Sequence, residues 1–470
     1  MQNLIARSLG VYKRDSASYK RVFSLALPIL LQNLISSSMT MVGMAMIGSL
    51  GQTELSGLTL ANSLFFVSTL FVFGIQSGGS VLMAQYWGKR DTGMINRIMG
   101  LSSFFAGAIT FVFALAVTIF PHQIMSITSD NPALVDVAAR YGRIVAFSFF
   151  LNSLTMVQVG AQRSAENPRF GMIVLSLSMG VNVFLNWVFI YGKLGVAAMG
   201  VEGSALATLI ARIFELGIAV VYVVLGKKRI PFEPRAFFLP GKKAVKQFLQ
   251  YAAPVVLNET LWGLGMSLYP IIYGHMITAS DNVAAYSVTG NLDKILTVGI
   301  YAIANAAAII IGNKSGMGAS KKELYETGKW LHALAFATSA AASLMLASLA
   351  FFGSEKFLFK IFDLTPNAQR ITINMMYTMS VVYLFKCFNA TNLVGILRGS
   401  GDVKTVMLID VLALYLFSLP AAVIAALVVK ADMTVVYIWI SLGDAIKMLI
   451  GMKRFTGKNW IRNVTVDISA

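Results

Sequence analysis

Apolar stretches of about 20 residues or more follow one another along nearly the whole chain, separated by short polar segments, and each is long enough to cross a hydrocarbon core of roughly 30 Å as a helix. The pattern predicts twelve helices, near 21–49, 54–87, 94–121, 134–161, 169–192, 200–226, 246–277, 282–312, 325–352, 370–397, 404–430 and 433–453. No polar region is long enough for a large soluble domain. The expected fold class is an all-α integral membrane protein.

Composition agrees with that pattern. Of the 470 residues 57% are hydrophobic and 13% charged, against about 25% charged in ordinary soluble domains. The net charge of +17 would suggest nucleic acid in a soluble protein, but its placement follows the loops. With both termini cytoplasmic, Lys and Arg crowd the inner segments, above all 226–246 and 313–329, while the outer loops hold only Lys193, Lys356, Lys360, Arg370 and Lys430. Such a bias orients inserted helices, so it predicts this topology and argues against nucleic-acid binding.

Other chemistries find little support. The first 22 residues lack an apolar core followed by a small-residue cleavage site and read as an interfacial amphipathic helix. Cys387 is the single cysteine, and His122, His275 and His332 are scattered without metal-ligand spacing. No Gly-rich Lys-Ser/Thr loop for a nucleotide is present, no cofactor is expected, and the sequons at Asn258, Asn389 and Asn463 fall in helices or on the inner side.

The chain also repeats itself. "ALPILLQN" (26–33) aligns with "AAPVVLNE" (252–259), setting Pro28 on Pro254 and Asn33 on Glu259; "AQYWG" (84–88) aligns with "GNKSG" (312–316), and "GAQRSAENP" (160–168) with "GILRGSGDV" (395–403). The order is the same in both halves. The organisation that follows is an N-terminal lobe over 1–225, a polar linker over 226–245 and a C-terminal lobe over 246–470. Six helices per half is even, so both halves insert alike, as parallel repeats related by a pseudo-two-fold axis along the membrane normal. That is the arrangement of a transporter with a midplane cavity between bundles.

"KLGVAAMGVEGSALATLIARIFE" (193–215), "NPRFGMIVLSLSMGVNVFLNWVFIYGKLG" (167–195) and "GILRGSGDVKT" (395–405) resemble the multidrug and toxic compound extrusion family. The resemblance runs from about residue 20 to 460, its most specific part being the paired "NP" and "GD" turns before helices five and eleven. "YIWISLGDAIKMLIGMKRFTGKNW" (437–460) looks like the last helix of one bacterial branch. The resemblance implies an exporter in the bacterial cytoplasmic membrane, coupled to protons or sodium, that is not an enzyme. It also brings in flippases of lipid-linked saccharides or other lipids as an alternative. Three positions that the resemblance would make acidic are neutral here, Gly43 as compared with many members, Asn186 with archaeal-type members and Asn389 with one bacterial branch, while Glu259 matches the C-lobe ion site of sodium-coupled members.

Ionisable residues inside spans are costly and mark function by default. At 1.5 Å per residue, Glu259, Asp293 and Lys386 lie about 20, 16 and 18 Å from a membrane surface, and Asp410 about 9 Å. Glu259, Asp293 and Asp410 are the candidate ion-coupling residues, with Glu259 a possible sodium ligand. Lys386 is a candidate charge switch that pairs with Glu259 or Asp293 in one state; a permanent pair or a snorkelling lysine is the bland reading. Arg212 with Glu215, and Asp444 with Lys447, read as local i,i+3 pairs. Asn33, Gln76, Asn152, Gln158, Asn182, Asn186, Asn258, Asn389 and Asn392 offer amides to a ligand or to neighbouring helices. The expected partners are a small amphipathic organic substrate, often cationic because carboxylates are buried, a coupling cation and the lipid bilayer, with the protein a monomer.

Overall fold

The computed structural model describes residues 16–225, 229–276, 279–359 and 364–466. Most of the amphipathic helix expected at the N-terminus lies outside them. The described residues form twelve long helices and no strand: α1 Ser16–Gly48, α2 Gln52–Gly88, α3 Thr92–Ile119, α4 Pro132–Ser164, α5 Pro168–Tyr191, α6 Gly200–Leu225, α7 Gly241–Gly274, α8 Ala279–Gly316, α9 Lys321–Ser348, α10 Pro366–Asn389, α11 Val403–Leu412 and α12 Met433–Thr456. Helices α9 and α10 continue as π-helical segments, Leu349–Leu358 and Ala390–Leu397. In α11 the π segment Ala413–Ser418 precedes Pro420, which has no N–H to give to the carbonyl four residues back, and the span runs on to Val428.

Eleven of these helices are apolar and long enough to cross a membrane. The exception is α7: Lys242, Lys243, Lys246, Gln247, Gln250, Asn258 and Glu259 fall in its first 20 residues, and only the remainder is strongly apolar. Large apolar side chains face outward along the spans, among them Phe104, Val112, Leu225 and Phe351. In water such a surface would aggregate; in hydrocarbon it is the solvated face.

Local chemistry sets the helix starts. Asn131 accepts from the Ala133 amide ahead of α4, with Pro132 at the first helical position. Ser320 and Glu323 have capping-box spacing at the start of α9, where the Glu323 amide donates to Ser320 Oγ at 3.2 Å.

The duplication extends to the backbone. The register that sets Gly88 on Gly316 also sets Arg90 (φ 62°) on Gly318 (φ 78°), and the one that sets Gly160 on Gly395 sets Glu166 (φ 59°) on Gly401 (φ 94°). Both turns need a left-handed residue, which glycine adopts freely and arginine or glutamate only at a cost. The next residue in each turn ties it to the last helix of its half. Asn167 donates to Tyr222 Oη in α6 at 2.9 Å, and Asp402 accepts from Arg454 Nε in α12 at 2.7 Å.

The chain forms two compact units, Leu27–Thr260 and Leu261–Ala470 with Met1–Ala26. In the first, α2 packs on α7 through small residues. A Cβ on Gly74 would come within 2.6 Å of Val256 Cα, and one on Gly78 within 2.6 Å of Ala252 Cα. Lipid supplies no hydrophobic force between helices, so this close backbone approach carries the association. Gly78→Ala is therefore expected to destabilise the protein by about 1–3 kcal/mol through overpacking, read as a lowered midpoint in thermal unfolding. Gly180→Ala, where nothing lies within 4 Å, serves as the neutral control.

Candidate functional site

Within Leu27–Thr260 the helices line a partly open cavity of about 360 Å³, in the range of small-molecule sites. Helix α1 contributes Ser36, Met39, Thr40 and Gly43, α2 contributes Asn62, Ser68 and Gln76, and α4 contributes Tyr141, Phe149 and Asn152. Its remaining wall is Asn182 and Asn186 of α5 with Ser204, Thr208 and Arg212 of α6. The two α5 amides lie on one face, four residues apart. Asn186 Nδ2 donates to Asn182 Oδ1 at 2.9 Å, and Asn182 Nδ2 to Thr208 Oγ1 at 3.3 Å.

Arg212 is the one Asp, Glu, Lys or Arg among the described lining residues. Its Nη1 donates to Glu215 Oε2 at 2.5 Å, so the expected i,i+3 pair forms. It is more than a local pair, because Arg212 faces the cavity while Glu215 lies wholly behind the wall. Sequence spacing foretells the pair, but which partner faces open space depends on how α1, α4, α5 and α6 pack.

In Leu261–Ala470 two charge pairs join helices. Lys386 Nζ of α10 donates to both carboxylate oxygens of Asp293 in α8, at 2.6 and 2.8 Å. Tyr383, one turn earlier on α10, donates its hydroxyl to Asp293 Oδ1 at 2.7 Å, and Thr297 Oγ1 lies 3.4 Å from the same oxygen. Both charged side chains remain 31% exposed. Of the two carboxylates proposed for Lys386, this arrangement uses Asp293; Glu259 belongs to the other compact unit.

The second pair differs from the local one expected for α12. Lys447 Nζ sits 2.8 Å from Asp410 Oδ1 of α11. Asp444 acts on Lys447 only at longer range, and its backbone carbonyl accepts from Asn389 Nδ2 at 2.7 Å. A cross-helix carboxylate displaces the i,i+3 partner because both ends of the Asp410–Lys447 bond are largely buried, with side chains 17% and 12% exposed. There the direct contact is worth most.

The remaining candidates scatter. Asn258 is buried in α7, Glu259 beside it is half-buried, and Asn33 and Gln158 are half-buried away from the cavity lining. Asn392 Oδ1 accepts from the His332 ring nitrogen Nε2 at 3.1 Å. Among the described residues no group of three or more His, Cys, Asp or Glu side chains gathers as a metal cage.

The family model for MatE matches residues 28–188 and again 254–424. Its two copies begin at Pro28 and Pro254, the residues aligned by the internal repeat. Among curated proteins, the chain is 25% identical over 408 residues to the probable multidrug resistance protein NorM of Thermotoga maritima, covering 86% of this chain and 84% of that one. It is 25% identical over 451 residues to the probable multidrug resistance protein YoeA of Bacillus subtilis, covering 94% of each. Among solved structures, a MATE transporter in the bent conformation superposes with a TM-score of 0.83 at 17% identity, covering 96% of this chain and 98% of that chain. A MOP superfamily transporter from Pyrococcus furiosus, described for the reverse polarity of its binding pocket, gives 0.81 at 19% identity, covering 93% and 96%. Two six-helix repeats, the doubled match and a fold shared over nearly the full length place this multi-pass membrane protein, a transporter and not an enzyme, in the MatE family of multidrug and toxic compound extrusion proteins.

Proposed function

We propose that this protein is a cation-coupled antiporter that exports organic amphipathic compounds from the bacterial cytoplasm by alternating access, working as a monomer with both termini inside. The observation that carries the coupling is the Asp293–Lys386 pair, held by Tyr383 in the middle of long apolar helices yet still partly open to solvent. A carboxylate that shares its charge with an ammonium is a two-state element. A proton, or a sodium ion, taken by the carboxylate competes with Lys386 and frees the ammonium, which alters the bond between α8 and α10. Coupling follows if the two access states bind that ion unequally. Glu259 is the second ion-coupling residue, and Asp410 stabilises α11 against α12 through Lys447.

The relatives named for multidrug resistance support a broad organic substrate range. So does a cavity with apolar walls and several amide groups.

The test is export by the protein in proteoliposomes, with a proton gradient and a sodium gradient imposed separately on a panel of fluorescent amphipathic compounds of different charge. One gradient is expected to drive export, Glu259→Gln to reduce it to background, and Lys386→Ala to weaken its dependence on the gradient. If folded wild-type protein moves none of the panel under either gradient, the antiport reading is wrong.

A further inference from the structure

The cavity in Leu27–Thr260 has an uneven polarity, which bears on what it takes up. Its charge comes from the Arg212–Glu215 pair. The sum is zero, but the arrangement is directional: the Arg212 side chain is 18% exposed and lines the cavity, whereas the Glu215 side chain is 0% exposed and does not. The pair is a buried dipole with its positive end toward the open space. A guanidinium carries five N–H donors. Nη1 gives one to Glu215, and Nη2 lies 3.8 Å from Met39 Sδ, a weak acceptor. Donors therefore remain on the cavity side.

Other lining residues carry oxygen acceptors. Asn186 is 1% exposed and Ser68 3%, and the Asn186 Oδ1, Ser68 Oγ and Asn152 Oδ1 atoms are buried with no hydrogen-bond partner among the described residues. Buried polar atoms of this kind are normally satisfied, and leaving them without partners is costly. Phe73, Phe149, Leu58 and Val145 supply the apolar part of the lining.

We infer that this cavity binds an organic anion: an apolar body carrying a carboxylate that takes the free N–H donors of Arg212, with hydroxyl or amide N–H groups that suit the asparagine-lined wall. This deepens the exporter reading and rests on it for the direction of transport, but the binding itself needs no gradient. A quaternary ammonium fits the same space poorly. It meets the positive end of the dipole and has no N–H to offer the amides. Arg212 is thus the specificity-determining residue of the cavity, and Glu215 positions it.

The experiment is equilibrium binding to the purified protein in lipid nanodiscs, with empty nanodiscs as the partition control. The probes are three dansyl derivatives of equal length ending in carboxylate, carboxamide or trimethylammonium. The wild type is expected to prefer the carboxylate to the trimethylammonium by about tenfold or more, as a charged hydrogen bond implies. Arg212→Gln alone would strand Glu215, so the double variant Arg212→Gln with Glu215→Gln, which removes both charges, is used; it should fold and lose the preference, while Arg212→Lys should retain part of it. A second variant reaches the cavity from another helix. Nothing lies within 4 Å of a Cβ on Gly43, so Gly43→Asp places a carboxylate in the lining and should reverse the order toward trimethylammonium. Equal or tighter binding of trimethylammonium by the wild type, an unchanged preference in the double variant, or no binding of any probe overturns the inference. Gradient-driven export of the fluorescent panel is scored separately, so each reading fails on its own evidence.

Discussion

Asp293→Asn is expected to uncouple the transporter while leaving it able to bind and exchange substrate. The asparagine keeps an oxygen for the Tyr383 hydroxyl, which lies 2.7 Å from Asp293 Oδ1. It removes the charge that holds Lys386 at 2.6 and 2.8 Å. Breaking a fully buried pair costs about 3–5 kcal/mol. Here each side chain is 31% exposed, and water offsets part of the loss, so about 2 kcal/mol of destabilisation is expected. The larger effect is on coupling: without a titratable carboxylate beside Lys386, an imposed gradient should no longer accelerate export, whereas substrate counterflow at zero gradient should persist. A purely structural pair predicts a different pattern, with both activities falling together as folded protein is lost. The exchange Asp293→Lys with Lys386→Asp should recover stability, because the bond between α8 and α10 is restored in reverse. Gradient-driven export by Asp293→Asn at the wild-type rate would show that the pair plays no part in coupling.

The second large effect is structural and lies at the turn before α11. Asp402 is wholly buried, accepting from Arg454 Nε at 2.7 Å and Thr405 Oγ1 at 2.9 Å, with Arg462 Nη2 at 3.1 Å. The segment after α12 is fastened to the same place. Ser400 Oγ donates to the Trp460 carbonyl and Ser315 Oγ to the Arg462 carbonyl, each at 2.7 Å, and Trp460 is 0% exposed. One carboxylate thus ties α11, α12 and the residues beyond α12 together. Asp402→Ala is expected to cost about 3 kcal/mol, the lower end for a broken buried pair, since Arg462 is 45% exposed and can turn to water. Asp402→Asn should lose about half as much, because asparagine fills the equivalent place at Asn167 and its oxygen still accepts a hydrogen bond. The measurement is the thermal unfolding midpoint of the purified protein; an Asp402→Ala midpoint equal to wild type would show that the arginines need no common anchor.

Much of this architecture is legible in the sequence, because a bilayer imposes simple rules. Every backbone polar group must be satisfied inside a span, so apolar length alone locates α1 through α6 and α8 through α12. The lower hydropathy of α7 still leaves it one helix, since its polar residues fall mainly in the first half. The repeat was also readable: the pairs Arg163 with Arg398 and Asn167 with Asp402 stand in the sequence, and the structure adds matching left-handed turns at Glu166 and Gly401.

Partner choice was not readable in the same way. Lys447 has an acid three residues earlier on its own helix and bonds instead to Asp410 of α11. Lys386 had two candidate carboxylates at similar depth, and only the packing of α8 against α10 selects Asp293. Arg212 and Glu215 form the pair their spacing foretells, but one faces a cavity and the other is sealed behind it. The sequence by itself determined the number of helices, their internal duplication and the presence of charges that hydrocarbon would not tolerate without partners, because those properties depend on local composition and period. Tertiary structure alone decided which charge meets which and which polar face looks into open space, because those depend on the rotation of each helix against its neighbours, and a turn of 3.6 residues leaves every rotation possible until packing selects one.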